Sequence, residues 1–183
     1  MKTITNGPDA GAIFDDFERF RFRLWRTFEA ALDLDPDKRM CFVMLNPSTA
    51  DAFVLDPTVT RCIGFAKREG CGRLDVVNCF ALRSTDPKAL RKAIRHGADP
   101  VGPGNDDHII EAASEADVVV AAWGAHAKLL DRGARVLDLL HDAGPVHCLA
   151  WTKDGTPGHP LYVKADRPLV RISRPDEWAT VTL

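Results

Sequence analysis

The chain has no pair of cysteines at CxxC spacing. Its five cysteines, Cys41, Cys62, Cys71, Cys79 and Cys148, are odd in number and scattered, so the ligand spacing used by zinc sites and iron–sulfur clusters is missing. Cys41, Cys79 and Cys148 fall in or beside strand-like runs, where a thiol serves as a small buried hydrophobe. No apolar run approaches the ~20 residues a membrane span needs. The segment Met1–Pro8 lacks the apolar stretch of a signal peptide, and the two absences together predict a cytoplasmic protein. Nor is there an excess of positive charge. The formal charge of -2 argues against strong nonspecific binding to nucleic acid and leaves any anionic ligand to a local basic patch. No internal repeat or low-complexity tract occurs.

What is present is an ordinary globular composition, 45% hydrophobic and 27% charged over 183 residues. That is enough chain to bury a core as one domain, 1–183, with polar residues 1–12 expected to be loosely held. Four apolar runs each end in a polar or small cluster. Met40–Leu45 runs into Asn46-Pro47-Ser48-Thr49-Ala50-Asp51, and Leu74–Val77 into Asn78 and then Arg83-Ser84-Thr85. Asp117–Ala122 runs into Trp123-Gly124, and Val146–Ala150 into Trp151-Thr152-Lys153 and Gly158-His159-Pro160. Such runs, separated by helical stretches, read as buried parallel strands. The fold class is therefore α/β, a three-layer α/β/α arrangement with a four-stranded parallel central sheet. In such a sheet, ligands bind outside the carboxyl ends of the strands, where the four clusters would meet.

Helix signals lie between the runs. One helix is expected from about Thr58, burying Cys62, Ile63 and Ala66, with Gly70 and Gly72 as terminators. Asp86-Pro87 reads as a cap followed by a first helical position, with Leu90 and Ile94 turned inward. Asn105 or Asp106 would cap the next helix. A last helix, roughly Ala127 to Asp142, would place Leu130, Ala134, Leu137 and His141 on one stripe. Near the amino terminus Arg19, Arg21 and Arg23 alternate with Phe20, Phe22 and Leu24, the period of an edge strand with one wet face. Those arginines are either solvated or a basic edge near a phosphate-bearing ligand.

Asn46 and Asn78 both sit at the ends of apolar strands. A carboxamide donates and accepts at once, as a nucleobase edge does, so two of them facing one cleft suit base recognition. His159 lies in a loop stiffened by Pro157 and Pro160, the restraint a substrate-contacting histidine needs. His126 is placed to line the cleft. Asp56 reads as a helix cap, with general base as the alternative, and Asp51 is left open.

The stretch from about Phe22 to Lys164 resembles the bacterial and phage domain-of-unknown-function family numbered 1643. The likeness is carried by Met44-Leu45-Asn46-Pro47-Ser48-Thr49-Ala50-Asp51-Ala52, Asp56-Pro57-Thr58, Arg61-Cys62, Val77-Asn78, Ala122-Trp123-Gly124 and His159-Pro160-Leu161-Tyr162. A weaker likeness is to the uracil-DNA glycosylase superfamily, through Leu45-Asn46-Pro47, Asn78, Trp123-Gly124 and His159-Pro160 in that order. It departs where Leu161-Tyr162 replaces Ser-Pro and where Ser48 replaces a bulky aromatic residue.

That second resemblance implies a nucleobase or nucleotide cleft, with cleavage of an N-glycosidic bond as its chemistry. It makes Asn46 and His159 the catalytic pair. Pro47, Ser48, Asp51, Asn78, Arg83, Trp123 and Gly124 would be substrate-binding. It implies no metal or organic cofactor; the partner would be a nucleobase, nucleotide or nucleic acid, with no membrane. The rivals are a non-catalytic nucleotide or nucleic-acid binding module and a phage-related hydrolase of modified nucleotides. Arg19, Arg21, Arg23 and Arg83 would form the positive rim of the cleft.

Overall fold

A computed structural model describes residues 1–28, 33–48, 50–51, 53–86 and 88–172. In chain order the strands are β1 (Lys2–Asn6), β2 (Ala10–Phe14), β3 (Arg21–Thr27), β4 (Asp35–Met44), β5 (Cys71–Asn78), β6 (Val118–Ala121), β7 (Val146–Cys148) and β8 (Val170–Arg171). The α-helices are α1 (Pro57–Arg68), α2 (Lys88–Arg95), α3 (Asn105–Ser114) and α4 (Arg132–Leu140), with short 3₁₀ segments at Ala125–Asp131, His141–Ala143 and Pro160–Tyr162.

All eight strands form one mixed sheet in the order β1-β2-β3-β5-β4-β6-β7-β8. Strand β4 pairs in parallel with β5 and β6, and β6 with β7; the pairings of β1, β2, β3 and β8 are antiparallel. The four expected strands run parallel in the order β5-β4-β6-β7, but a four-stranded sheet with one edge strand is corrected to a mixed sheet of eight. The arginine-rich strand β3 is internal, held between β2 and β5, because residues 2–14 supply a hairpin that covers its outer side.

Alternation along the strands divides the core in two. Cys41, Val43, Val77, Val119 and Ala121 face α3 and α4. Met40, Phe42, Leu74, Val76 and Val120 face α1, which contributes Val59, Cys62, Phe65 and Ala66 from one side of the helix. Helices thus cover both faces, giving three layers. Burying a side chain the size of Phe65 is worth about 1.5–3 kcal/mol, so this stripe, not helix propensity, holds α1 in place. All five cysteines are free and buried. Burial pushes the Cys79 thiol up to about 12, against the weaker pull of Arg132, leaving it inert as the core hydrophobe its setting predicts.

A β-bulge between β2 and β3 has the largest consequence for function. The register runs Ala12↔Leu24 and Ile13↔Arg23, then jumps to Phe14↔Arg21, leaving Phe22 as the extra residue. A bulge reverses the alternation of faces beyond it. Phe22 stacks on His108 of α3, ring centroids 4.9 Å apart, and Arg23 pairs with Asp75 on that face. Arg21 is instead carried to the α1 face, with Phe14 and Leu24. The expected common face for Arg21 and Arg23 is therefore wrong.

Other local expectations also shift. Asp56 caps α1, its Oδ1 accepting from Val59 N at 2.8 Å, and Pro57 follows as its first residue. Gly70, at φ +72°, follows the helix end. Asp86 Oδ1 accepts from Lys88 N at 2.8 Å, while Pro87 lies outside the described residues. Gly104, not Asn105, is the N-cap of α3. The last helix is only α4, after a 3₁₀ stretch broken at Leu129 and Leu130. Its buried stripe is Gly133, Val136, Leu137 and Leu140, so Ala134 and His141 are exposed and Leu130 is nearly half exposed. The apolar positions there fit two stripes a quarter-turn apart, and packing against α3 selects the second.

Candidate functional site

The carboxyl ends of β4, β5, β6 and β7 open onto a cavity of about 660 Å³, within the range of small-molecule sites. Asn46 and Ser48 enter it from the end of β4, Asn78 from β5, Trp123 and Gly124 from β6. Gly158 and His159 enter from the loop beyond β7. Arg21, Asp56, Thr58, Ser84, Thr85, His126 and Thr152 add to its polar lining. Leu161 and Tyr162 stand at its mouth, Tyr162 almost wholly exposed. The four strand-end clusters therefore share one cavity.

Asn78 is the least ordinary of these residues. It follows Leu74 and Val76 on the α1 face and is 1% exposed. Among the described residues neither its amide nitrogen nor its oxygen has a hydrogen-bond partner. A buried unpaired donor or acceptor costs about 1–3 kcal/mol, so the fold carries this amide at a loss. Its backbone, by contrast, is fixed. Asn105 Nδ2 donates to the carbonyl of Asn78 at 2.9 Å, and Arg132 Nε to that of Cys79 at 2.6 Å. Cys79 N donates to Met44 O at 2.8 Å and Phe80 N to Leu45 O at 2.9 Å, which locks the ends of β5 and β4 together.

Asn46 is committed differently. Its Nδ2 donates to Ser84 O at 2.8 Å and to Pro47 O at 3.1 Å, tying the loop after β4 to the loop after β5. Its oxygen is the carboxamide atom left to the cavity. His159 begins the 3₁₀ turn Pro160–Tyr162, and its Nδ1 accepts from Leu161 N at 3.4 Å. In the neutral ring the proton then sits on Nε2, making that atom a donor. Burial lowers the His159 pKa and Asp56 only partly opposes this, so the neutral ring is the form present at pH 7. Gly124 sits at φ 73°, ψ -176°, a conformation essentially reserved for glycine. Its N–H donates to Pro157 O at 2.8 Å. A Cβ there would meet that of His159 at 3.7 Å, an ordinary contact, so it is the backbone conformation, not lack of room, that calls for glycine.

Arg21 is 2% exposed and forms no ion pair among the described residues. Its Nη1 donates to Ala50 O at 2.5 Å, while Nε is buried without a partner among the described residues. Burial, relieved only in part by Asp56, pushes its pKa down to about 10, so it remains charged at neutral pH.

Three expected site residues lie elsewhere. Pro47 is buried and does not line the cavity; its carbonyl accepts from Ser84 N at 2.8 Å. Asp51 Oδ1 caps the N–H groups of Phe53 and Val54 at 2.8 and 2.9 Å. Burial alone would raise its pKa, but those N–H groups and the charges of Arg83 and Arg26 hold it below the ordinary value. Arg83 donates to Glu18 O at 3.1 Å and lies over the Phe14 ring. The four-arginine rim is therefore corrected to one residue. Arg19 is exposed over Phe17 and Phe20, Arg23 is neutralised by Asp75 and Glu115, and only Arg21 reaches the cavity. The supports Asn105 and Arg132 were missed in the sequence. Asn105 resembles an N-cap, and the one hint for Arg132 is its position four residues before Val136, on the stripe that packs.

Among the described residues no group of three or more His, Cys, Asp or Glu side chains could hold a metal ion, and no helix is long and apolar enough to cross a membrane. No curated protein and no solved structure matches the chain. A family model does: it matches residues 21–161, well over half the chain and the whole span from Arg21 to the His159 loop. The chain belongs to the family described as protein of unknown function (DUF1643).

Proposed function

We propose that the cavity binds a nucleobase-bearing ligand and hydrolyses its N-glycosidic bond, on a sheet and strand-end layout like that of the uracil-DNA glycosylases. The observation that carries this reading is the Asn78 carboxamide, buried at the cavity wall with both polar atoms unpaired among the described residues. A base edge that offers an N–H beside a carbonyl oxygen satisfies both atoms at once. The apolar walls supplied by Met44, Leu45, Val76 and Trp123 suit the faces of an aromatic ring.

In the reaction, the electron pair of the sugar–base bond leaves with the base. His159 Nε2–H hydrogen-bonds the base oxygen on which the negative charge gathers, as a neutral donor whose low pKa suits that role. Water, held by Asn46 Oδ1, adds to the sugar carbon. Its surplus proton goes to the departing base, so the products are a free base and a sugar hydroxyl.

One observation favours a second reading, in which the site binds without cleaving. The Asn46 nitrogen is already spent on loop carbonyls, which leaves one atom to position water. The test is a panel of nucleosides, nucleotides and oligonucleotides with uracil and modified pyrimidines, scored for base release and binding. Release that falls 10²–10³-fold in His159→Ala, the loss of one transition-state contact, supports the hydrolase. Binding without release, abolished by Asn78→Ala, supports the binding module. Equal affinity for every ligand in wild type and Asn78→Ala overturns both.

A further inference from the structure

Arg21 carries more than the base-recognition reading uses. A guanidinium buried to this degree ordinarily has a carboxylate beside it, as Arg23 has two residues away, with Asp75 at 2.9 Å and Glu115 at 2.7 Å. Arg21 has none within ion-pair reach among the described residues. Asp56 and Asp51 act on it only at longer range, and Arg26 and Arg83 add positive potential. The strand spends a β-bulge at Phe22 to aim it here. That bulge takes Arg21 away from the carboxylates of the α3 face and delivers it to the cavity on the α1 face, where Asn78 also points. One end of the guanidinium is fixed through Nη1 to Ala50 O. Among the described residues Nε has no partner, and the Nε–Nη2 edge is one on which arginine takes two phosphate oxygens at once.

We infer that Arg21 is the anion anchor of this cavity, and that the ligand is a free nucleoside monophosphate whose terminal phosphate sits on the Arg21 Nε edge while its base sits on Asn78. The inference rests on the reading of Asn78 as the base contact and adds the class of ligand. Burial decides between a terminal phosphate and a backbone one. A phosphodiester must have chain leaving it on both sides, and a guanidinium only 2% exposed offers no second exit. A monoester ends there. The cavity of about 660 Å³ has room for a base, a sugar and one phosphate. The negative total charge of the chain is no obstacle, because one desolvated arginine supplies the local field.

Calorimetry on the full chain tests this with pyrimidine nucleosides, their 5′-monophosphates, inorganic phosphate and single-stranded oligonucleotides carrying the same bases. For wild type, a monophosphate is expected to bind at least ~10-fold tighter than its nucleoside, the scale of one charge-assisted contact. Millimolar inorganic phosphate should weaken the monophosphate and leave the nucleoside unaffected. Arg21→Gln should erase that preference without changing the nucleoside, and Arg21→Lys should keep part of it. The wild-type comparison and the phosphate competition need no variant, so misfolding of Arg21→Gln does not protect the inference. Equal binding of nucleoside and monophosphate, with Asn78→Ala abolishing both, overturns the anchor and spares the base reading. A monophosphate preference that survives Arg21→Gln also overturns the anchor. An oligonucleotide that binds tighter than the monophosphate overturns the free-nucleotide assignment. Phosphate-dependent binding indifferent to Asn78→Ala overturns the base reading alone. Binding of no panel member overturns both.

Discussion

The two faces of the sheet around β3 and β5 treat the same side chains in opposite ways. On the α3 face, Arg23 and Arg73 both pair with Asp75, and Glu115 links Arg23 to Arg39. On the α1 face, Arg21 has no carboxylate partner and Asn78 has no hydrogen-bond partner among the described residues. Arg23 and Asp75 on one face, and Arg21 and Asn78 on the other, are all buried, within a few residues of one another along the same two strands. Desolvation alone therefore does not explain the difference, because the first face meets the cost with partners and the second leaves it standing. A polar group that a fold buries and does not satisfy is a place where a ligand has something to gain. Charge pairing completes the first face and not the second.

The largest expected effect breaks the satisfied face. Asp75→Ala leaves Arg73 without its carboxylate and the buried Arg23 with Glu115 alone, and is expected to cost about 3–5 kcal/mol in urea or thermal unfolding, with no specific effect on ligand affinity in whatever fraction stays folded. A loss under about 1 kcal/mol would mean that water already serves those arginines and that the contrast is not real.

Next is the wall of the unsatisfied face. Gly124→Ala forces a side chain into φ 73°, ψ -176° and is expected to cost about 1–3 kcal/mol, together with lost affinity as the backbone relaxes and the Gly124 N–H bond to Pro157 O weakens. Normal affinity in a destabilised Gly124→Ala protein would separate the glycine from the site.

Asn78→Ala should do the reverse of Asp75→Ala. Because it removes an unpaired amide, its melting temperature is expected to equal or exceed that of wild type, while base-dependent binding disappears. Substantial destabilisation would mean that the amide is structurally satisfied.

The smallest effect is the pH dependence. Burial lowers the His159 pKa below the ordinary 6.5, against Asp56. The unfolded chain therefore takes up a proton there before the folded chain does. Stability should be complete above about 6.5 and decline as pH falls below it. His108, lowered chiefly by burial, acts in the same sense, so His159→Gln should remove only part of the decline in melting temperature between pH 7 and pH 5. A decline unchanged in His159→Gln would place the histidine in water, outside the cavity wall.

The amino-acid sequence by itself determined the four core strands and where each would end, because continuous apolar runs have one stable placement, inside a covered sheet. It also determined the Asp56 cap, the inertness of the cysteines, and the meeting of Asn46, Asn78, Trp123, Gly124 and His159, since strand ends in parallel register must share an edge. It left undecided what depends on contacts between distant segments. The face that Arg21 takes follows from a one-residue bulge that strict alternation cannot reveal. The neutralisation of Arg23 depends on Asp75 and Glu115, 52 and 92 residues away. The hairpin of residues 2–14 became part of the sheet because an open β3 edge was there to pair with, and Arg83 and Asp51 left the site because nearer backbone groups claimed them. Patterning is local and survives in the sequence; which buried polar atom finds a partner is a property of the packed chain, and only the tertiary structure decided it.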